Sequence, residues 1–386
     1  MQRIGQEEIN AVARVIESKA LFKGEETKHF QEEMQEKFDV KHVHLMSSGA
    51  GALTSALIAM GIGPGDEVIV PGYTYIASAM AVVAVGAIPV IAEIDESLTL
   101  CPIDVEKKIT SRTKALLPVH IQGFPSNMDA LCALAKKYNL YILEDACQAD
   151  GGSYKGKRLG TIGDCGAYSF NQYKLITAGE GGALATNSDL FSERALIYHD
   201  SSAVSFFGQQ LSGTVEPFCG TEFRTNEISA AIMREQLKKL DGILEDLRKN
   251  KKKIMDALKD DFKFAVSNDI EGDCSTVVPF QFDTVEDAIR FSEITGHGRP
   301  INTGKHVYSN WAAILEKRGA VHPAFDPFKM EANRDHIPDY SPDMCPKTLD
   351  ILSRTVYVSF TANSTDAEID AKIQSCKKAK AAMQQG

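Results

Sequence analysis

The 386-residue chain has one tryptophan, Trp311, and its eight cysteines form neither a C-x-x-C pair nor a Cys/His ligand spacing. A disulfide framework and a structural zinc site are therefore not expected, no metal is assigned, and the thiols read as reduced and intracellular. Positive charge is also short. With a net charge of −10, the chain lacks the electrostatic footprint of a DNA- or RNA-binding protein, although small anionic ligands stay possible. The basic run at 248–253, Arg-Lys-Asn-Lys-Lys-Lys, reads as the solvated face of a helix. The first residues, MQRIGQEEIN, hold no apolar stretch flanked by basic residues, so no secretory signal is expected and the cytoplasm is the expected compartment. A long hydrophobic run occurs only at 75–92, which matches a membrane span in length. Gly86 and Pro89 interrupt it, and the reading is a buried helix ending near Gly86 followed by a core strand at 88–94, with no membrane association.

What the sequence does have is alternation. Ile9, Val12 and Ile16, then Phe30, Met34 and Phe38, are spaced for two amphipathic helices. Strands at 43–46, 67–70, 88–94, 115–119 and 140–144 alternate with helical stretches at 52–60, 102–109 and 126–138. Strands that are apolar throughout indicate an α/β fold with a mostly parallel central sheet covered by helices on both faces. A long helix or helix pair is expected over 224–258. Segments 276–282, 285–294, 355–359 and 366–383 suggest a smaller α+β unit, so the chain divides into a large domain at 1–258 and a small one at 259–386. With 44% hydrophobic residues it can bury a large core.

Two stretches carry chemistry. The loop Ser47-Ser48-Gly49-Ala50-Gly51 lies between a strand and a helix, where free N–H groups and the helix dipole make an anion site; small residues there also serve close packing of helix on sheet. Asp145 ends an apolar strand, and Lys174 precedes a glycine-rich turn. A carboxylate that keeps a pyridine nitrogen protonated and a lysine that forms a Schiff base are the pair that pyridoxal phosphate (PLP) chemistry requires. Alone, the aspartate would read as a helix cap and the lysine as solvated. Their order, together with the anion loop, favours the cofactor.

Four blocks, SSGAGAL at 47–53, GDEVIVP at 65–71, EDACQA at 144–149 and SFNQYK at 169–174, resemble the DegT/DnrJ/EryC1/StrS family of PLP-dependent sugar aminotransferases. The resemblance covers most of the chain and implies the fold-type I architecture and a homodimer with active sites at the interface. It implies that Gly49 and Ala50, with Ser48 close by, hold the cofactor phosphate, with Ser169 as a further contact. Tyr75 would stack on the pyridine ring while Tyr73 packs, and Gln148 would lie near the 3′-oxygen. His306 and Tyr308 become substrate candidates. The implied reaction moves an amino group from an amino acid, glutamate as the usual donor, to a keto or aldehyde sugar. Dehydratases of the family carry histidine in place of the lysine, and Lys174 argues for transamination. Another PLP reaction, elimination or condensation, or a non-catalytic relative stays open. The segments HVYSNW, HPAFDPF and MCPKTLDILSRTV are most similar to the 8-amino-3,8-dideoxy-octulosonate transaminase branch.

One departure stands out. Where the family has an asparagine that reaches the partner's phosphate, this chain has Glu222. A carboxylate beside a phosphate is repulsive unless turned away or paired. The expectation is that Glu222 turns to solvent; use of Asn226 or Asn171 instead, or pairing with Arg224, are the alternatives.

Overall fold

The computed structural model describes residues 3–202, 204 and 214–384. Helix α1 (Gln6–Ser18) is followed by α2 (Glu25–Phe38), which buries Phe30, Met34 and Phe38 as their spacing requires. In α1 the expected face is not the buried one. Ile9 and Ile16 are 60% and 53% exposed, while Glu8, Ala11 and Val15 face inward. The reason is polar: Glu8 accepts hydrogen bonds from Gln236 Nε2 at 2.8 Å and Lys239 Nζ at 2.7 Å. A charge so well partnered is tolerated inside and turns the helix by one position.

The chain then runs β1 (His42–Met46), α3 (Gly49–Ala59), β2 (Glu67–Pro71), α4 (Ala77–Ala84), β3 (Ile88–Ala92), α5 (Pro102–Lys108), β4 (Thr113–Leu116), α6 (Met128–Tyr138) and β5 (Tyr141–Asp145). A short ribbon of β6 (Ser153–Tyr154) and β7 (Lys157–Arg158) precedes β8 (Cys165–Ser169), β9 (Gly182–Thr186) and α7 (Asp189–His199). Seven strands form one sheet in the order β1-β9-β8-β5-β4-β2-β3. Pairs β2–β3, β2–β4, β4–β5 and β5–β8 are parallel, whereas β9 runs antiparallel to both its neighbours. Strands β2, β8 and β9 are buried at every residue, as a sheet covered on both faces demands.

The apolar run at 75–92 resolves into α4 and β3. Gly86 joins them at φ +88°, and a Cβ there would lie 2.8 Å from the Pro64 ring. Glycine is required on both counts.

Helix α8 (Glu227–Leu258) crosses from the large sheet to a three-stranded antiparallel sheet of β10 (Lys263–Phe264), β11 (Val277–Gln281) and β12 (Thr355–Ser359). Helices α9 (Val285–Thr295), α10 (Ala312–Leu315), α11 (Pro346–Ser353) and α12 (Asp366–Gln384) complete the chain. The stretch from about 300 to 345 returns to the large sheet: Tyr308 N–H donates to the Gly72 carbonyl, and the Tyr340 hydroxyl to that of Pro89. The basic run of α8 is not wholly solvated. Lys251 is buried and pairs with the equally buried Asp273 at 2.5 Å.

That pair generates a pH-dependent expectation. Burial raises the Asp273 carboxyl above its ordinary value, with Lys251 opposing the shift. A carboxyl raised on folding weakens the fold as pH rises, because the unfolded chain releases its proton more readily. Lys251→Met should therefore lower unfolding stability at pH 8 by about 3–5 kcal/mol, the cost of stranding one buried charge. The deficit should shrink at pH 5, where Asp273 takes up a proton; urea titrations at the two pH values measure both.

Candidate active site

The C-terminal ends of the parallel strands gather the residues singled out in the sequence, where open α/β sheets bind ligands. Strand β5 presents two adjacent carboxylates to opposite faces. Glu144 accepts from Gly160, Ile162 and Gly163 N–H at 2.6–2.8 Å and contacts His120 Nε2 at 3.0 Å. Because His120 Nδ1 accepts from Ser126 N–H, its Nε2 carries the proton toward Glu144. Asp145 has fewer partners. Its Oδ2 accepts from the Ser78 hydroxyl at 2.6 Å and its Oδ1 from Cys147 N–H at 3.1 Å, which fixes the carboxylate and leaves lone pairs for a further donor.

Helix α3 starts beside this point. The Ser48 hydroxyl caps it by accepting from Gly51 N–H at 3.0 Å. Neither Gly49 nor Ala50 N–H has an acceptor among the described residues. A Cβ at Gly49 would meet Cys147 Sγ at 2.7 Å and Ser169 Cβ at 2.9 Å, so the cap, the end of β8 and the turn after β5 converge. Lys174 sits on the hairpin loop between β8 and β9. The loop is closed on itself by the bridge between Asn171 and Gly179, by Lys174 N–H to the Asn171 carbonyl and by Thr177 Oγ1 to the Phe170 carbonyl. The Lys174 amine forms no hydrogen bond or ion pair among the described residues.

Gln148 is oriented by its neighbours: its Oε1 accepts from Gln122 N–H at 3.0 Å, which leaves the amide N–H groups to donate elsewhere. Gln122 holds a left-handed backbone, φ +53°, and its carbonyl accepts from Thr276 Oγ1. Tyr75 is 40% exposed. The His306 ring meets it edge-on at 5.5 Å, and Lys305 Nζ lies 5.1 Å from its centroid. Burial holds the His306 imidazole below its ordinary value; a backbone contact at Thr303 opposes this, and the charges of Lys305 and Lys174 add to it.

Tyr73 packs, with its hydroxyl 3.0 Å from that of Tyr357. Tyr308 is fully buried and its hydroxyl accepts from Cys345 N–H at 2.9 Å, which ties its loop to the start of α11.

Residues 2–375 match the DegT/DnrJ/EryC1/StrS aminotransferase family. The chain belongs to that family. An aminotransferase from Psychrobacter cryohalolentis superposes with a TM-score of 0.80 at 28% identity, covering 99% of this chain and 98% of that one. DesV of Streptomyces venezuelae gives a TM-score of 0.76 at 30% identity over 97% and 94% of the two chains. By sequence, a dTDP-3-amino-3,4,6-trideoxy-alpha-D-glucose transaminase of Streptomyces venezuelae is 42% identical over 234 residues, 60% of this chain and 60% of that protein. A GDP-perosamine synthase of Caulobacter vibrioides is 42% identical over 206 residues, 52% of this chain and 53% of that one. The chain thus spans less than two thirds of the length of these two relatives. The fold is that of the fold-type I PLP enzymes.

The family's cofactor is pyridoxal phosphate, and the residues present fit it. Unused N–H groups at a helix start suit a phosphate, the fixed Asp145 suits a protonated ring nitrogen, and Lys174 offers an unengaged amine. Glu222 differs from the expectation. It does not turn to solvent alone but pairs with Arg224, which also pairs with the buried Asp200. Its segment runs along the edge of β1, with Ser47 N–H donating to the Phe223 carbonyl at 2.7 Å. Asn226 caps α8 and Asn171 Nδ2 donates to Glu180, so both amides are engaged.

The sequence reading missed Ser78, Gln122 and Thr276. Ser78 had a signal: a hydroxyl inside the apolar run at 75–92 must find a buried partner. Gln122 and Thr276 had none, since both act through tertiary contacts.

Gly49 supplies the test of the anion end. An added methyl at 2.7 Å from Cys147 Sγ must push apart the cap and the end of β8. Gly49→Ala should weaken PLP binding to the apoprotein by at least about tenfold, roughly 1.4 kcal/mol, measured by absorbance titration.

Proposed function

We propose that the protein is a PLP-dependent sugar aminotransferase that takes an amino group from an amino acid, glutamate as donor, and delivers it to the keto or aldehyde carbon of a sugar. The observation that carries the reading is the Lys174 amine, unpartnered among the described residues, on a loop closed at both ends, with the fixed carboxylate of Asp145 at the end of the neighbouring strand β5. Bound there, PLP would supply an aldehyde for covalent attachment and an electron-withdrawing ring. Gly49 and Ala50 N–H, with Ser48 and Ser169, would hold the phosphate. Asp145 would keep the ring nitrogen protonated, and Tyr75 would cover the ring. Gln148, steered by Gln122, would offer its amide N–H to the 3′-oxygen. Lys174 would be the base that takes the proton from the donor's α-carbon and, in the second half-reaction, the acid that gives a proton to the former carbonyl carbon of the sugar.

The likeness of the C-terminal segments to the octulosonate branch favours an eight-carbon acidic sugar as acceptor. Lys305, exposed beside Tyr75, is compatible with an acid at the mouth of the site.

The protein acts as a homodimer in this reading. Ile4, Ile9, Ile16, Leu21 and Phe22 form an apolar set on the N-terminal helix and its flanks with 46–60% exposure, and a second copy covers it. A groove of about 660 Å³ along the outer edge of β1 contains none of the cofactor residues, and we assign it to the same contact. We also divide the chain into a large domain at 1–258 and a small one at 259–386, a reading supported by the end of α8 at Leu258. The compartment is the cytoplasm, in keeping with eight free cysteines. No helix among the described residues is long and apolar enough to cross a membrane.

Two variants test the chemistry. Lys174→Ala should bind PLP without covalent attachment and lose transamination, so that borohydride no longer fixes the cofactor to the chain; normal turnover would refute the assignment. Asp145→Asn should slow the proton-transfer half-reaction by about 10²–10⁴-fold while retaining most cofactor. Stopped-flow decay of the visible band on adding glutamate separates the two effects. If glutamate and a sugar carbonyl together leave the band unchanged in the parent protein, the aminotransferase reading fails.

A further inference from the structure

At the turn from β2 into α4 stand two fully buried hydroxyls, those of Thr74 and Ser78, in line with Asp145. Ser78 Oγ lies 2.6 Å from Asp145 Oδ2 and 2.6 Å from Thr74 Oγ1. A carboxylate has no proton to give, so Ser78 donates to Asp145, and its oxygen is left to accept from Thr74. The other acceptor near Thr74 Oγ1, the Tyr75 carbonyl, is farther away at 3.3 Å. The order Thr74 to Ser78 to Asp145 therefore gives each proton its shortest bond, and hydrogen bonds that run one way along a chain strengthen one another.

The backbone of Thr74 makes a second tie. Its N–H donates to the His306 carbonyl at 3.0 Å, Ile76 N–H donates to the Lys305 carbonyl at 3.0 Å, and Tyr308 N–H donates to the Gly72 carbonyl at 3.0 Å. Tyr73 and Val307 are bridged antiparallel between them. Residues 305–308 are thus a strap laid along residues 72–76 by a short ladder. The strap carries His306, whose ring meets that of Tyr75.

One residue is therefore bonded to both ends of the site, by its hydroxyl to the carboxylate and by its N–H to the strap. We propose that Thr74 is a positioning residue that couples the strap carrying Lys305 and His306 to the Asp145 carboxylate. Through Ser78 it fixes Asp145 Oδ2 as an acceptor and leaves the remaining lone pairs for the cofactor ring. When a ring N–H engages Asp145, the carboxylate, the two hydroxyls and the Thr74 backbone are held in one arrangement, and the strap tightens on residues 72–76. Loading of the cofactor thereby sets the strap for the substrate. Thr74 itself touches neither ligand and transfers nothing. The proposal rests on the reading of Asp145 as the carboxylate that faces the cofactor ring.

The test uses the full chain and pyridoxamine 5′-phosphate, which has no aldehyde to attach to Lys174, so that the ring is held by the site alone. Hydrogen exchange of the Ile76 and Tyr308 amides, both donors in the ladder, is measured with and without saturating ligand in the parent, Thr74→Val, Thr74→Ser and Ser78→Ala. Thr74→Val keeps the side chain's shape and the N–H and removes only the hydroxyl. In the parent the ligand should slow both amides by about tenfold; in Thr74→Val and Ser78→Ala that slowing should fall below about threefold, as expected when one hydrogen bond of a chain ending on a charged acceptor is lost. Thr74→Ser, which keeps the hydroxyl, should retain it. A hydroxyl that only packs would speed exchange by the same factor with and without ligand. That result in a folded Thr74→Val, or a Thr74→Ser that behaves as Thr74→Val does, overturns the proposal. Thermal unfolding checks the fold, and if Thr74→Val does not fold, an undiminished slowing in Ser78→Ala overturns it instead. A parent that binds the ligand without any slowing refutes the coupling alone, and a parent that does not bind it refutes both readings. If the slowing behaves as expected but the parent never transaminates, the coupling stands and the functional reading falls.

Discussion

A strand turns neighbouring side chains to opposite faces, and at the end of β5 this rule sets two carboxylates back to back. Glu144 is the anchor. Three backbone N–H groups and one imidazole satisfy it, and in doing so they fix the turn that leads from the β6–β7 ribbon into β8. A buried charge with that many donors is cheap to keep and costly to disturb. Because β8 is held there, Ser169 ends beside the cap of α3, and Asp145 is left on the other face with two donors and room for another. The site is thus a by-product of how one buried glutamate is satisfied.

The antiparallel β9 has a related effect. In an all-parallel sheet the segment after β8 would cross over as a helix and carry its residues away from the strand ends. Here it returns at once as a hairpin, and both ends of the lysine loop are built into the same sheet. Lys174 consequently shares a rigid frame with Asp145 and the start of α3. The small sheet reaches that frame by a different path, through Thr276 to Gln122 and from there to Gln148.

Much of this was legible in the residues. The strand ending at Asp145, the small-residue cap at Ser48 and the break at Gly86 are local signals, and local rules read them. Failures came where a tertiary partner outweighed a local pattern. The Ile9/Ile16 stripe lost the interior of α1 to Glu8, because Gln236 and Lys239 lie far along the chain. Lys251 left the solvated face for the same reason, drawn in by Asp273. For Glu222 the favoured expectation was a turn to solvent, and the pairing with Arg224 that stood as an alternative is the one found.

Trp311 carries a consequence of a different kind. Its indole is wholly buried, and Nε1–H donates to the carbonyl of Lys305, in the backbone segment that also accepts from Thr74 and Ile76 N–H. The chain holds no other tryptophan. Its near-ultraviolet emission under selective excitation is therefore the emission of one clamp, the strap that lays Lys305 and His306 against Tyr75. The molecule has an optical gauge built into the rim of its site, one that reports the strap's hydration and leaves the rest of the fold dark.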